Sequence, residues 1–74
     1  MTILLKNEKG YVATLKVYGN RVEYEISTYD SHGAIDWSSD KKAVEANAIA
    51  NVMVKLGWLL KGLLIEGFEL IDII

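Results

Sequence analysis

YVATLKVYGNRVEYEISTY, residues 11–29, reads as two strands around one tight turn. Residues 11–18 and 21–29 carry a period-two pattern, and the Gly19-Asn20 pair between them suits the positive φ angles of a two-residue hairpin loop. Counting outward from the turn pairs Tyr18 with Arg21, Val17 with Val22, Lys16 with Glu23, Leu15 with Tyr24, Thr14 with Glu25 and Ala13 with Ile26. One face then holds Ala13, Leu15, Val17, Val22, Tyr24 and Ile26. The other holds Thr14, Lys16, Tyr18, Arg21, Glu23 and Glu25. A slip of one residue would mix the two sets, and the opposite charges of Lys16 and Glu23 favour the same register independently.

The pattern extends in both directions. Asp30-Ser31-His32-Gly33 forms a four-residue loop, after which residues 34–37 return and place Ile35 and Trp37 on the apolar face with Ile26. Upstream, residues 2–6 form a strand joined through the polar loop Asn7 to Gly10. Ile3 and Leu5 point one way and Leu4 the other, and the register stays open. The result is a four-stranded antiparallel meander with one wet and one dry face.

A dry face requires a cover. Ser38-Ser39-Asp40 offers N-cap residues for a helix over KKAVEANAIANVMVKLG. Lys41 and Lys42 then fall in its first turn, against the helix dipole, as a solvated face. Ile49, Val52, Met53, Leu56, Leu59, Leu60 and Leu63 recur at helical spacing and face the sheet. Glycine costs only about 1 kcal/mol inside a helix. The sequence therefore leaves open whether the helix reaches Glu66-Gly67 or breaks at Gly57 or Gly62. Residues 68–74 form a last strand, antiparallel beside the first. The expected fold is α+β, one domain over residues 1–74 in ββββαβ order: a four-stranded antiparallel meander, one long helix packed on one face, and a C-terminal fifth strand.

The chain has 74 residues, 51% hydrophobic and 24% charged, with no cysteine. A domain of this size buries only roughly 60–65% of its unfolded surface, so its core must be dense. Without disulfides or thiolate metal sites, apolar packing is the stabiliser, which suits a reducing cytoplasm. The start MTILLKNEKG places its charges after a short apolar run, unlike a signal peptide. The tail WLLKGLLIEGFELIDII is broken by Lys61, Glu66, Glu69 and Asp72. Spanning a bilayer takes about 20 apolar residues, and a central Lys or Asp costs about 2.5–3.5 kcal/mol, so no membrane span is expected.

Candidate chemistry is sparse. His32 is the only histidine, with Asp30, Ser31, Asp36 and Asp40 nearby. Adjacent Asp30-Ser31-His32 fits turn chemistry, with side chains bonding their own backbone, rather than a nucleophile, base and carboxylate converging in space. One histidine with scattered carboxylates lacks a metal-ligand spacing, and no glycine-rich phosphate loop is present. No catalytic residue, metal ligand, cofactor or small-molecule substrate is therefore expected. The net charge of −2 interleaves Lys6, Lys9, Lys16 and Arg21 with Glu8, Glu23 and Glu25, which argues against a nucleic-acid surface.

KNEKGYVATL resembles the first hairpin of HicB-type antitoxin domains, over about ten residues and without the Pro-Gly-Cys-like stretch that follows the second strand there. In size and style the chain also resembles phage or mobile-element proteins that block a host enzyme or defence complex, anti-CRISPR proteins among them.

One feature has no place inside a single core. On a continuous helix Val54, Trp58 and Ile65 lie nearly opposite Ile49 and Leu60, away from the sheet, with Asn47, Asn51 and Lys61 around them. On the last strand Glu69, Ile71 and Ile73 point away from Phe68 and Leu70. Were the helix broken at Gly57, Trp58 would turn inward and the surplus would vanish. Otherwise Val54, Trp58, Lys61, Ile65, Ile71 and Ile73 form a partner-binding patch. The expected function is a non-enzymatic protein-binding module, an inhibitor acting by surface occlusion. The alternative is a structural or regulatory homodimer joined through its helix or C-terminal strand.

Overall fold

A computed structural model of the chain describes residues 1–38, 42–45 and 49–74, with side chains described for 1–38 and 52–74. The elements are β1 (Thr2–Lys6), β2 (Val12–Val17), β3 (Arg21–Tyr29), β4 (Ile35–Ser38), β5 (Lys42–Glu45), α1 (Ile49–Ile65) and β6 (Glu69–Ile73). The sheet runs β4-β3-β2-β1-β6 with every pair antiparallel, and β5 also pairs with β3. This is the α+β meander with a helix and a last strand beside the first, as the sequence predicts, with one short strand added.

The central hairpin has the predicted register, from Ala13 opposite Ile26 to Val17 opposite Val22. Ala13, Leu15 and Val22 are buried, and Val17, Tyr24 and Ile26 pack against them. The turn differs from expectation: neither Gly19 nor Asn20 has a positive φ. The Tyr18 N–H donates to the Arg21 carbonyl at 2.9 Å, and the Arg21 guanidinium lies 4.7 Å from the Tyr18 ring centre. Strand pairing and this flanking contact hold the register without a mirror-image turn. Lys16 does face Glu23 across the ladder, while Glu23 also takes a 3.1 Å ion pair from Arg21.

The other two hairpins share one loop design. Asn7 N–H donates to the Tyr11 carbonyl, Gly10 N–H to the Asn7 carbonyl, and Tyr11 N–H to Asn7 Oδ1. Asp30, Gly33 and Ala34 repeat the pattern. Gly10 and Gly33 sit at φ 87° and 81°, where a Cβ would be strained. A side-chain acceptor at the first position and glycine at the fourth thus close both loops.

Register settles the first strand. Ile3 and Leu5 face Leu15 and Ala13 and are buried, while Leu4 faces Thr14 on the outer side. Two bulges change faces. Tyr29 pairs with Ile35 and Thr28 with Trp37. The extra residue between them, Asp36, moves Ile35 to the outer face, whereas Trp37 stays on the core side with its ring edge-on to Tyr11 at 6.2 Å. The expectation that both residues join Ile26 therefore holds only for Trp37.

The helix start is a second correction. Ser38 lies in β4 and Lys42 in β5, and α1 begins at Ile49; Ser39, Asp40 and Lys41 lie outside the described residues. The cause lies in β3. β4 pairs only with Ser27 to Tyr29, leaving the outer edge of Arg21 to Tyr24 to β5. Satisfying those backbone groups outweighs the helix preference of KAVE.

The helix is unbroken through Gly57 and Gly62. Val52 and Leu56 are buried, and Leu59, Leu60 and Leu63 pack against the core. Met53, expected to face the sheet, is half exposed because it lies at the margin of that arc. At the C-terminus, Gly67 N–H donates to the Leu64 carbonyl and Phe68 N–H to the Leu63 carbonyl. Gly67 has φ 91°, and Phe68 is buried. This is a Schellman ending with its apolar clasp.

Two glycines should therefore respond with opposite signs. Gly67→Ala should lower stability by about 1 kcal/mol, because alanine is strained at that φ. Gly57→Ala should raise it by about 0.5–1 kcal/mol, since nothing lies within 4 Å of the added Cβ. Urea melts of the two variants give the comparison.

Candidate interaction surface

Each helical residue turns by about 100°. The arc of Val52, Leu56, Leu59, Leu60 and Leu63 meets the sheet, so Val54, Trp58, Lys61 and Ile65 fall on the opposite arc. Trp58 is 71% exposed, Ile65 76% and Val54 52%, and Lys61 is exposed. This is the placement expected of a continuous helix, which the sequence left open against a break at Gly57. The sequence did not single out Met53 and Leu64, which widen the stripe along one flank and are also more than half exposed. Their positions on the helical wheel carried that signal. The side chains of Asn47 and Asn51 lie outside the described residues.

Within α1 the only charged residues are Lys55 and Lys61. A helix apolar all round is normally buried on all sides. Here one side meets the sheet, and on the other Val54, Trp58 and Ile65 stand more than half exposed.

The last strand differs from expectation. Leu5 pairs with Leu70 and Ile3 with Ile73, with a register shift between Leu4 and Leu5. Ile71 is the extra residue, and the shift returns Ile73 to the core-side face it shares with Leu70. Ile73 does not point away from Leu70, because a one-residue insertion reverses the alternation beyond it. Leu70, Ile71 and Ile73 are all about half exposed, at 55%, because β6 is the outermost strand.

That edge is guarded. Thr2 and Ile74 exchange both backbone hydrogen bonds, at 2.8 Å each, so the neighbouring Ile73 N–H points off the sheet. Asp72 Oδ1 accepts it at 2.8 Å. A bulge and a self-satisfied donor are standard protections against strand addition, and they direct attention from the β6 edge to the helix.

Of the candidates around His32, Asp30 has a structural role. Asp30 Oδ1 accepts from the backbone N–H groups of His32 at 2.8 Å and Ala34 at 3.0 Å, so this carboxylate braces the loop, as the sequence suggests. Asp36 is exposed on β4, and Asp40 lies outside the described residues. Among the described residues no group of three or more His, Asp or Glu is arranged to hold a metal ion. An open depression is lined by Asn7, Glu8, Lys9, Glu66, Gly67 and Glu69. Among the described residues no helix is long and apolar enough to cross a membrane. Asp30→Ala should cost about 1 kcal/mol in a thermal melt, through loss of the two loop hydrogen bonds. His32→Ala should stay within about 0.5 kcal/mol of the parent.

No protein-family model, characterised protein or solved structure matches the chain.

Proposed function

We propose that the protein is a non-enzymatic binding module that acts by covering part of another protein's surface with the outer face of α1. The observation carrying this reading is the uninterrupted helix, which leaves Val54, Trp58 and Ile65 outside the core together. A solvent-exposed stripe of this kind around a tryptophan has the composition of an interaction hot spot. The bracing role of Asp30 supports binding over catalysis, and the absence of cysteine suits a reducing cytoplasm.

Ile65→Lys tests the reading. It places a charge in the stripe where the parent side chain is 76% exposed, so folding should be unaffected. Proteins retained from source-cell lysate by the parent, an untagged copy of the chain included, should be lost by the variant. Retention of the same set by both would remove the helix as the binding element.

A further inference from the structure

We infer that the occupant of the helix stripe is a second copy of this chain, its α1 packed antiparallel against the first; the inference rests only on the reading of the outer face of α1 as a binding surface, and names the protein that covers it. Val54, Trp58, Lys61 and Ile65 follow one another at steps of 4, 3 and 4 residues. That is the alternation of a coiled-coil seam. It is also symmetric under reversal: Val54 exchanges with Ile65 and Trp58 with Lys61. A two-fold antiparallel pair needs this self-complementarity, because each layer must join a residue to its reversed counterpart.

The layers formed are chemically matched. The outer two place Val54 against Ile65 of the second copy. The inner two place Trp58 against Lys61 of the second copy, a cation over an indole face. A parallel pair would instead set Lys61 against Lys61. In the antiparallel pair Leu64 comes alongside Gly57 of the second copy, and Gly57 has nothing within 4 Å of its missing side chain. Close approach is therefore open where a larger residue would block it.

The area is sufficient. Trp58, Ile65, Leu64, Val54 and Met53 are each 52–76% exposed, and covering them in both copies removes on the order of 1,000 Å², the lower range of specific interfaces. The lysine in the seam fixes register at some expense of affinity, so a pair that exchanges at micromolar concentration is expected.

The chain contains no cysteine, which permits a clean test by mild oxidation of the full chain at about 100 μM. Val54→Cys alone and Ile65→Cys alone should not cross-link. In the antiparallel pair each residue lies about 16 Å along the axis from its own mate, beyond disulfide reach of about 7 Å. Mixing the two variants should give a covalent dimer of twice 8.3 kDa. Self-cross-linking of either single variant would overturn the antiparallel arrangement. Absence of any cross-link, with the parent at 8.3 kDa by light scattering, would overturn self-pairing altogether. The binding-module reading would then stand or fall separately, on lysate retention by the parent against Ile65→Lys.

Discussion

Replacing Leu15 by alanine is expected to remove roughly half of the fold's stability or more. Leu15 is 1% exposed in β2, an interior strand, with Ile3 on one side and Tyr24 on the other, and the helical residues Val52 and Leu56 belong to the same core. Truncating such a leucine costs about 2–5 kcal/mol, because the lost burial is compounded by a cavity that the surroundings fill only in part. A domain of this length holds about 4–11 kcal/mol in total. The cost should fall in the upper part of its range, since ladder bonds on both sides of β2 limit collapse into the void. Leu4→Ala is the matched control: same chemistry, adjacent strand, but only half-buried on the outer face, with an expected loss of about 1 kcal/mol. Urea melts followed by circular dichroism give both values. A Leu15→Ala shift no larger than that of Leu4→Ala would mean that the core is not where the sheet register places it.

Trp58→Ala should have the opposite profile. Its side chain is 71% exposed, so stability of the isolated chain should change by less than about 0.5 kcal/mol. Association should fall by about 2–4 kcal/mol, or roughly 30- to 1,000-fold in dissociation constant, the range for a central tryptophan in an interface. The separation between the two readouts carries the information. A tryptophan that mattered to folding would lower the melting midpoint, and one that merely happened to be exposed would alter neither. Sedimentation equilibrium over a concentration series, with a parallel urea melt, measures both quantities.

Much of this arrangement was legible in residues 11–29, because a one-residue slip exchanges the two faces, and Ala13 to Val17 against Val22 to Ile26 separates apolar from polar residues in a single register. The opposite arcs of the helix were legible for a similar reason, since they follow from the pitch alone. What failed to show in the sequence was set by tertiary demand. The bulges at Asp36 and Ile71 follow from the pairing partner and leave no composition signal, and each reverses the face of the residue beyond it. Lys42–Glu45 carries helix-favouring residues but completes the edge of β3, because backbone groups there need partners. Gly19 and Asn20 suit positive φ yet adopt none, since a turn held by its flanking strands need not use the conformation its residues prefer. For the site, the sequence located the helix stripe, and misjudged the outward direction of Ile73 through the bulge at Ile71.

The most direct test of the central claim, that the outer face of α1 is covered in use, is the solvent access of Trp58 inside source cells. Trp37, 51% exposed against 71% for Trp58, lies on β4 away from the stripe and serves as the internal reference for hydroxyl-radical labelling. Dilute purified protein should be oxidised more at Trp58 than at Trp37, and the order should reverse in cells. An unchanged order in both settings would show Trp58 open to water where the protein works, and would contradict the account.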